Sequence, residues 1–96
     1  MPSFRITLII GAVHPGVAPH SVLPHLAAAA AQLTTVEASD LAVVAGSPRA
    51  IVRFTADDAA MALQVGEHVL AAARTEVEPV SWQVTERVRA RWYPVR

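Results

Sequence analysis

The chain has 96 residues, is 53% apolar but only 5% aromatic, and carries a formal net charge of zero. That length makes one domain with a small core, which must be built from alanine, valine and other small aliphatic side chains. Balanced charge excludes the strongly basic surface of a dedicated nucleic-acid binder. The absence of cysteine excludes disulfides, thiolate metal sites, iron–sulfur ligation and cysteine nucleophiles.

The N-terminal apolar run, residues 6–10, is too short for a signal sequence or a membrane span. A cytoplasmic location is therefore expected. The charges are mildly polarised. Residues 1–76 carry six acids against four arginines, and residues 77–96 carry two acids against four arginines.

In residues 4–10, Phe4, Ile6, Leu8 and Ile10 alternate with Arg5, Thr7 and Ile9, the period of a β-strand. Residues 11–19 hold two glycines and two prolines and read as a loop. Ser21 is a plausible N-cap for a helix over 22–33, with Pro24 in its first turn and Leu23, Leu26, Ala27, Ala30 and Leu33 at helical spacing. Period two returns from Val36, breaks at Gly46-Ser47-Pro48 and resumes with Ala50, Val52 and Phe54, which predicts a hairpin. Asp57 and Asp58 open a second helix, one of them as its cap. Ala59, Ala62, Val65, Gly66, Val69 and Ala73 form its apolar face. Glycine in a helix interior is unfavourable, so Gly66 predicts a close contact. Val80, Trp82 and Val84 form the inward set of a fourth strand.

The order strand, helix, strand, strand, helix, strand resembles the ferredoxin-like (split βαβ, α/β plait) fold. The resemblance lies in element order and spans nearly the whole chain, residues 1–96 as a single domain. It implies an α+β architecture, with a four-stranded antiparallel sheet and both helices on one face. Past Thr85 the pattern breaks, because Glu86 falls on the apolar side ahead of Val88, Ala90 and Trp92. Three resolutions compete: an extension past the helices, a bulge, or a turn near 88–90 into a short fifth strand at 91–95. No glycine or asparagine marks such a turn.

His14, His20 and His25 bracket the first loop and are the candidate metal ligands. Their spacing matches no zinc pattern, and solvated loop histidines are the plainer reading. Gly11 and Gly16 lack the lysine and Ser/Thr of a P-loop and the third glycine of a dinucleotide fingerprint. Glu67 and His68 stand roughly 100° apart on a helix and read as a solvated face. Ser21 has no visible activating base, and no persuasive catalytic set emerges. No cofactor is expected.

The sheet face away from the helices carries Arg5, Thr7, Ile9, Ile51, Arg53, Thr55 and Gln83. With strand aromatics on the core side, that face is poor for stacking bases. Its apolar centre and two arginines suit a second copy of the chain, as a homodimer, or a small acidic ligand held by Arg5 and Arg53. Arg87, Arg89 and Arg91 alternate, so a strand would put them on one side. Beside Trp92 and Tyr93 they could grip an anion, nucleic acid or a protein partner, or simply protect an edge. The expectation is a non-enzymatic binding or interaction module that self-associates, without nucleic-acid or membrane partners. A small enzyme or metal protein using the histidine loop is the alternative, with weak anion or nucleic-acid binding through the three arginines as a third.

Overall fold

The computed structural model of the protein describes residues 1–95. The chain is α+β, with two helices and a five-stranded antiparallel sheet in the order β2-β3-β1-β4-β5. The strands are β1 (Ser3–Val13), β2 (Val36–Val44), β3 (Ser47–Thr55), β4 (Val77–Val88) and β5 (Arg91–Pro94). The helices are α1 (Val22–Ala31), preceded by a 3-10 turn at Pro19–Ser21, and α2 (Ala59–Arg74). No helix among the described residues is long and apolar enough to cross a membrane.

The alternation in β1 and β3 does what period two requires. Phe4, Ile6 and Leu8 pair with Phe54, Val52 and Ala50, and all six are buried. Phe4 and Phe54 stack with ring centroids 6.2 Å apart. Over this face lie Leu26, Ala29 and Ala30 of α1 and Ala62, Val65, Val69 and Ala73 of α2. The alanines let the helices approach the sheet closely. Gly66 makes the closest approach: a Cβ there would stand 2.7 Å from Val84 Cγ2 and 3.4 Å from Trp82 Cζ3. Asp58 caps α2, its Oδ1 accepting from the Met61 N–H at 2.8 Å.

Several expectations are corrected. The glycine at the head of the expected loop belongs to β1, which runs on to Val13. Two register shifts against β4 accommodate the extension, bringing Gly11 against the Glu78 carbonyl. Helix α1 ends at Ala31, leaving Leu33 exposed. Ser21 holds the N-cap position, but its hydroxyl donates to the Ala18 carbonyl at 2.8 Å instead of capping α1. Strand β4 starts at Val77, which is fully buried. Trp82 lies on the helix-facing side, opposite Leu8 and beside Gly66, and is 36% exposed; Val80, between Pro79 and Ser81 at the register shift, is 68% exposed.

The four-stranded sheet is also corrected, to five strands. Strand β4 continues through Glu86 to Val88 and then turns into β5. The turn residues Arg89 and Ala90 have φ of 51° and 69°, the left-handed region that glycine and asparagine usually supply. Ala45 and Gly46 make the β2–β3 turn the same way, with φ of 52° and 79°. Glu86 pairs with Phe4 and with Tyr93 and stays half-buried at the end of the sheet.

Candidate functional site

Residues paired across antiparallel strands share a face. The pairs Arg5–Arg53, Thr7–Ile51, Arg5–Thr85 and Thr7–Gln83 therefore place these side chains together on the face opposite the helices, with Ile9 and Arg49 further along and Thr55 opposite Ser3. Gln83 is exposed, while Arg5, Thr7, Ile9, Ile51, Arg53 and Thr55 are half-buried.

Two features of this face were not legible beforehand. Trp92 of β5 pairs with Arg87 and folds onto the open face. There the Arg5 guanidinium carbon lies 4.4 Å from the indole centroid and that of Arg53 lies 5.5 Å from it. The expectation that the strand aromatics lie on the core side does not hold for Trp92. The second feature is the bulge between Val36 and Ala38 in β2. It aims Glu37 at Arg53 Nε (3.2 Å) and Ser3 Oγ (2.7 Å). The bulge also switches the alternation, so that Val36 lies on the helix-facing side before it and Ser39, Leu41 and Val43 after it.

These contacts treat the two arginines unequally. Arg5 and Arg53 are directly opposite, an arrangement of like charges that is unfavourable by itself. Glu37 neutralises Arg53. Arg5 has no carboxylate partner among the described residues, and its Nε is buried without a hydrogen-bond partner there. Its compensation is the indole, an interaction that contributes about 0.5–2 kcal/mol depending on desolvation. Arg49 Nε and Thr85 Oγ1 are likewise buried and unpartnered among the described residues, on the same face. A cavity of about 180 Å³ opens beside the arginines, lined by Arg5, Ala38, Ser39, Asp40, Ile51, Arg53 and Trp92.

The C-terminal arginines do not act as one row. The turn divides them: Arg87 lies near the end of β4 opposite Trp92, Arg89 sits in the turn, and Arg91 opens β5 opposite Val88. The expected one-sided array of Arg87, Arg89 and Arg91 is corrected accordingly. Tyr93 is 49% exposed and pairs with Glu86, on the other face from Trp92.

The histidines are directed to separate partners. His14 Nε2 meets Glu78 Oε1 at 3.1 Å, His25 Nδ1 meets Glu76 Oε1, and His20 lines an apolar cavity with Ile10, Val13, Val22, Leu23 and Leu41. Among the described residues no three His, Cys, Asp or Glu side chains are grouped as a metal ion requires. Glu76 also lies 3.4 Å from Ser21 Oγ, and its carbonyl accepts from the His14 N–H at 2.8 Å. The set is ordered His25–Glu76–Ser21, with the carboxylate between imidazole and hydroxyl. The imidazole is not placed to take the serine proton, which is the geometry nucleophilic catalysis uses. The cluster instead ties the start of α1 to β4 and puts a carboxylate at the positive end of that helix.

Comparison with protein-family models, with curated proteins and with solved structures finds no match.

Proposed function

We propose that the chain is a non-enzymatic binding domain that holds a small anion, a carboxylate or a phosphate, at Arg5 and Arg53 on the open face of its sheet. Arg5 carries the reading. Its guanidinium is covered by Trp92, its Nε is buried without a partner among the described residues, and it lines a cavity of about 180 Å³. Guanidinium presents a planar fork of donors that matches carboxylate and phosphate geometry. The indole keeps water from one side, which strengthens a charge interaction there.

The charges nearby limit the affinity. Glu37 offsets Arg53, and Asp40 stands at the cavity. A hydrogen bond to a charged group contributes about 1.5–3 kcal/mol. Three at the upper end, about 9 kcal/mol, less about 4–5 kcal/mol for the loss of ligand freedom, lead to a dissociation constant on the order of 0.1–1 mM at low salt. Screening weakens it as ionic strength rises.

The surrounding scaffold is proposed to be a ferredoxin-like plait with an added edge strand. In support, β1 lies between β3 and β4, β2 is outermost beside β3, and all neighbours are antiparallel. Strand β5 then extends the β4 side and brings in Trp92.

Fluorescence tests the binding reading. In a Trp82→Phe background Trp92 is the sole indole reporter. Titration with phosphate or succinate should change its emission saturably, and Arg5→Ala should abolish the response. A wild-type emission that stays flat to about 3 mM anion, at an ionic strength near 10 mM, contradicts the proposal.

A further inference from the structure

We infer that the outer edge of β2 is an interface between two copies of this chain, paired antiparallel about a two-fold axis at Leu41. Strand β2 is outermost and pairs only with β3. Free edges are normally guarded by proline, by charged side chains, lysine above all, or by bulges. From Ala38 to Val44 there is no proline, no basic residue and no register shift, and Asp40 is the single charge. The opposite side of the sheet is guarded, with Pro79 at a register shift in β4 and Arg91 and Pro94 in β5. On β2, Leu41, Val43 and Val44 are 52%, 69% and 46% exposed, a concentration of large apolar side chains within four residues.

The backbone register selects the same partner. The two-residue turn at Ala45–Gly46 makes Val44–Ser47 a hydrogen-bonded pair. By alternation, the N–H and C=O groups of Ser39, Leu41 and Val43 point to the free edge, where the Leu41 N–H donates to Asp40 Oδ1 at 2.8 Å. A two-fold axis at Leu41 pairs these groups with their own copies, Leu41 with Leu41 and Ser39 with Val43, each Asp40 carboxylate giving up the Leu41 N–H to the partner's carbonyl. Asp40 then faces Ala42. A two-fold axis at Asp40 would set two carboxylates directly opposite, which is unfavourable. Pairing at Leu41 is isologous and closes without leaving an open edge for further copies. It also brings the two Leu41 side chains together beside the apolar cavity that Leu41 lines with Leu23 and Pro48.

Sedimentation velocity across about 1 µM to 1 mM tests the interface. The wild-type chain should form a dimer. Leu41→Arg and Leu41→Glu should each weaken it on the order of a hundredfold, since symmetry sets two like charges opposite one another. A mixture of the two variants should recover a heterodimer. Val43→Arg, at a site 69% exposed, should weaken the dimer on the order of tenfold, and it serves as the readout if the Leu41 changes perturb folding. Val80→Arg, on the β4 edge, should leave the dimer intact. A wild-type chain that stays monomeric throughout, β2 variants that dimerise like the wild type, or dissociation by Val80→Arg alone overturns the inference.

Discussion

The indole of Trp92 lies over the guanidinium of Arg5, 4.4 Å from centroid to Cζ, and joins the last strand to the first. The contact explains how Arg5 and Arg53 tolerate being directly opposite in adjacent strands. A π face attracts both cations, and Glu37 neutralises one of them. Trp92→Ala should lower stability by about 1–2 kcal/mol, from lost burial and lost cation–π attraction. A double-mutant cycle with Arg5→Ala should give a coupling of roughly 0.5–2 kcal/mol. Denaturant unfolding of the four proteins measures it, and additivity within about 0.3 kcal/mol would deny the contact any energetic role.

Gly66→Ala should destabilise, although alanine is the better helix former by roughly 0.5–1 kcal/mol. The added Cβ would stand 2.7 Å from Val84 Cγ2, a side chain only 2% exposed and unable to swing away. Overpacking of this kind costs about 1–3 kcal/mol, so the net loss is about 1 kcal/mol. A thermal midpoint at or above the wild-type value would show that the sheet yields at Val84.

The two hairpin turns hold non-glycine residues in the left-handed region, Ala45 at φ 52°, Arg89 at 51° and Ala90 at 69°. That conformation costs an L-residue roughly 1–2 kcal/mol. Ala45→Asn creates the Asn-Gly pair that such turns favour, and Ala90→Gly removes a Cβ from a strained position. Each should add about 0.5–1 kcal/mol, or roughly 2–8 °C in midpoint. The turns lie in different hairpins, so the double variant should show the sum. A lower midpoint for either would mean that its turn is shaped otherwise.

The Glu76 carboxylate joins His25 and Ser21 at the start of α1, while its backbone carbonyl accepts from the His14 N–H in a bond that alanine would keep. Glu76→Ala should cost about 1–2 kcal/mol, through lost hydrogen bonds and a lost carboxylate at the helix N-terminus. Glu78→Ala serves as the control. Its carboxylate is 72% exposed and pairs with His14 alone, so the loss should stay within about 0.5 kcal/mol. Equal losses in urea unfolding would refute the distinction.

Much of the scaffold was legible because its cues are local. Alternation in residues 4–8 and 50–54 identified the two central strands and their buried faces. It also placed Arg5 and Arg53 on the open face, which pairing alone set opposite one another. Asp58 was readable as a cap and Gly66 as a point of close approach. The fifth strand was only one of three resolutions, because Arg89 and Ala90 make a turn whose usual residues are absent. In sequence Trp92 reads as part of a basic stretch, since an aromatic gives no sign of which face it reaches until the turn before it is known. Glu37 was not readable as a partner for Arg53, because the change of parity between Val36 and Leu41 does not say which residue is bulged. The histidines share a stretch of sequence, but Glu76 and Glu78, far along the chain, divide two of them.

The most direct measurement of the central claim is the Nε–H resonance of Arg5 in a proton–nitrogen NMR spectrum recorded during titration with phosphate or succinate. Arg5→Lys identifies the signal by removing it. If the anion binds at Arg5 and Arg53, this resonance moves downfield saturably, with a midpoint on the order of 0.1–1 mM, and Arg53→Ala weakens the response. An Arg5 signal that stays fixed while the anion binds elsewhere, or that does not move at all, contradicts the account.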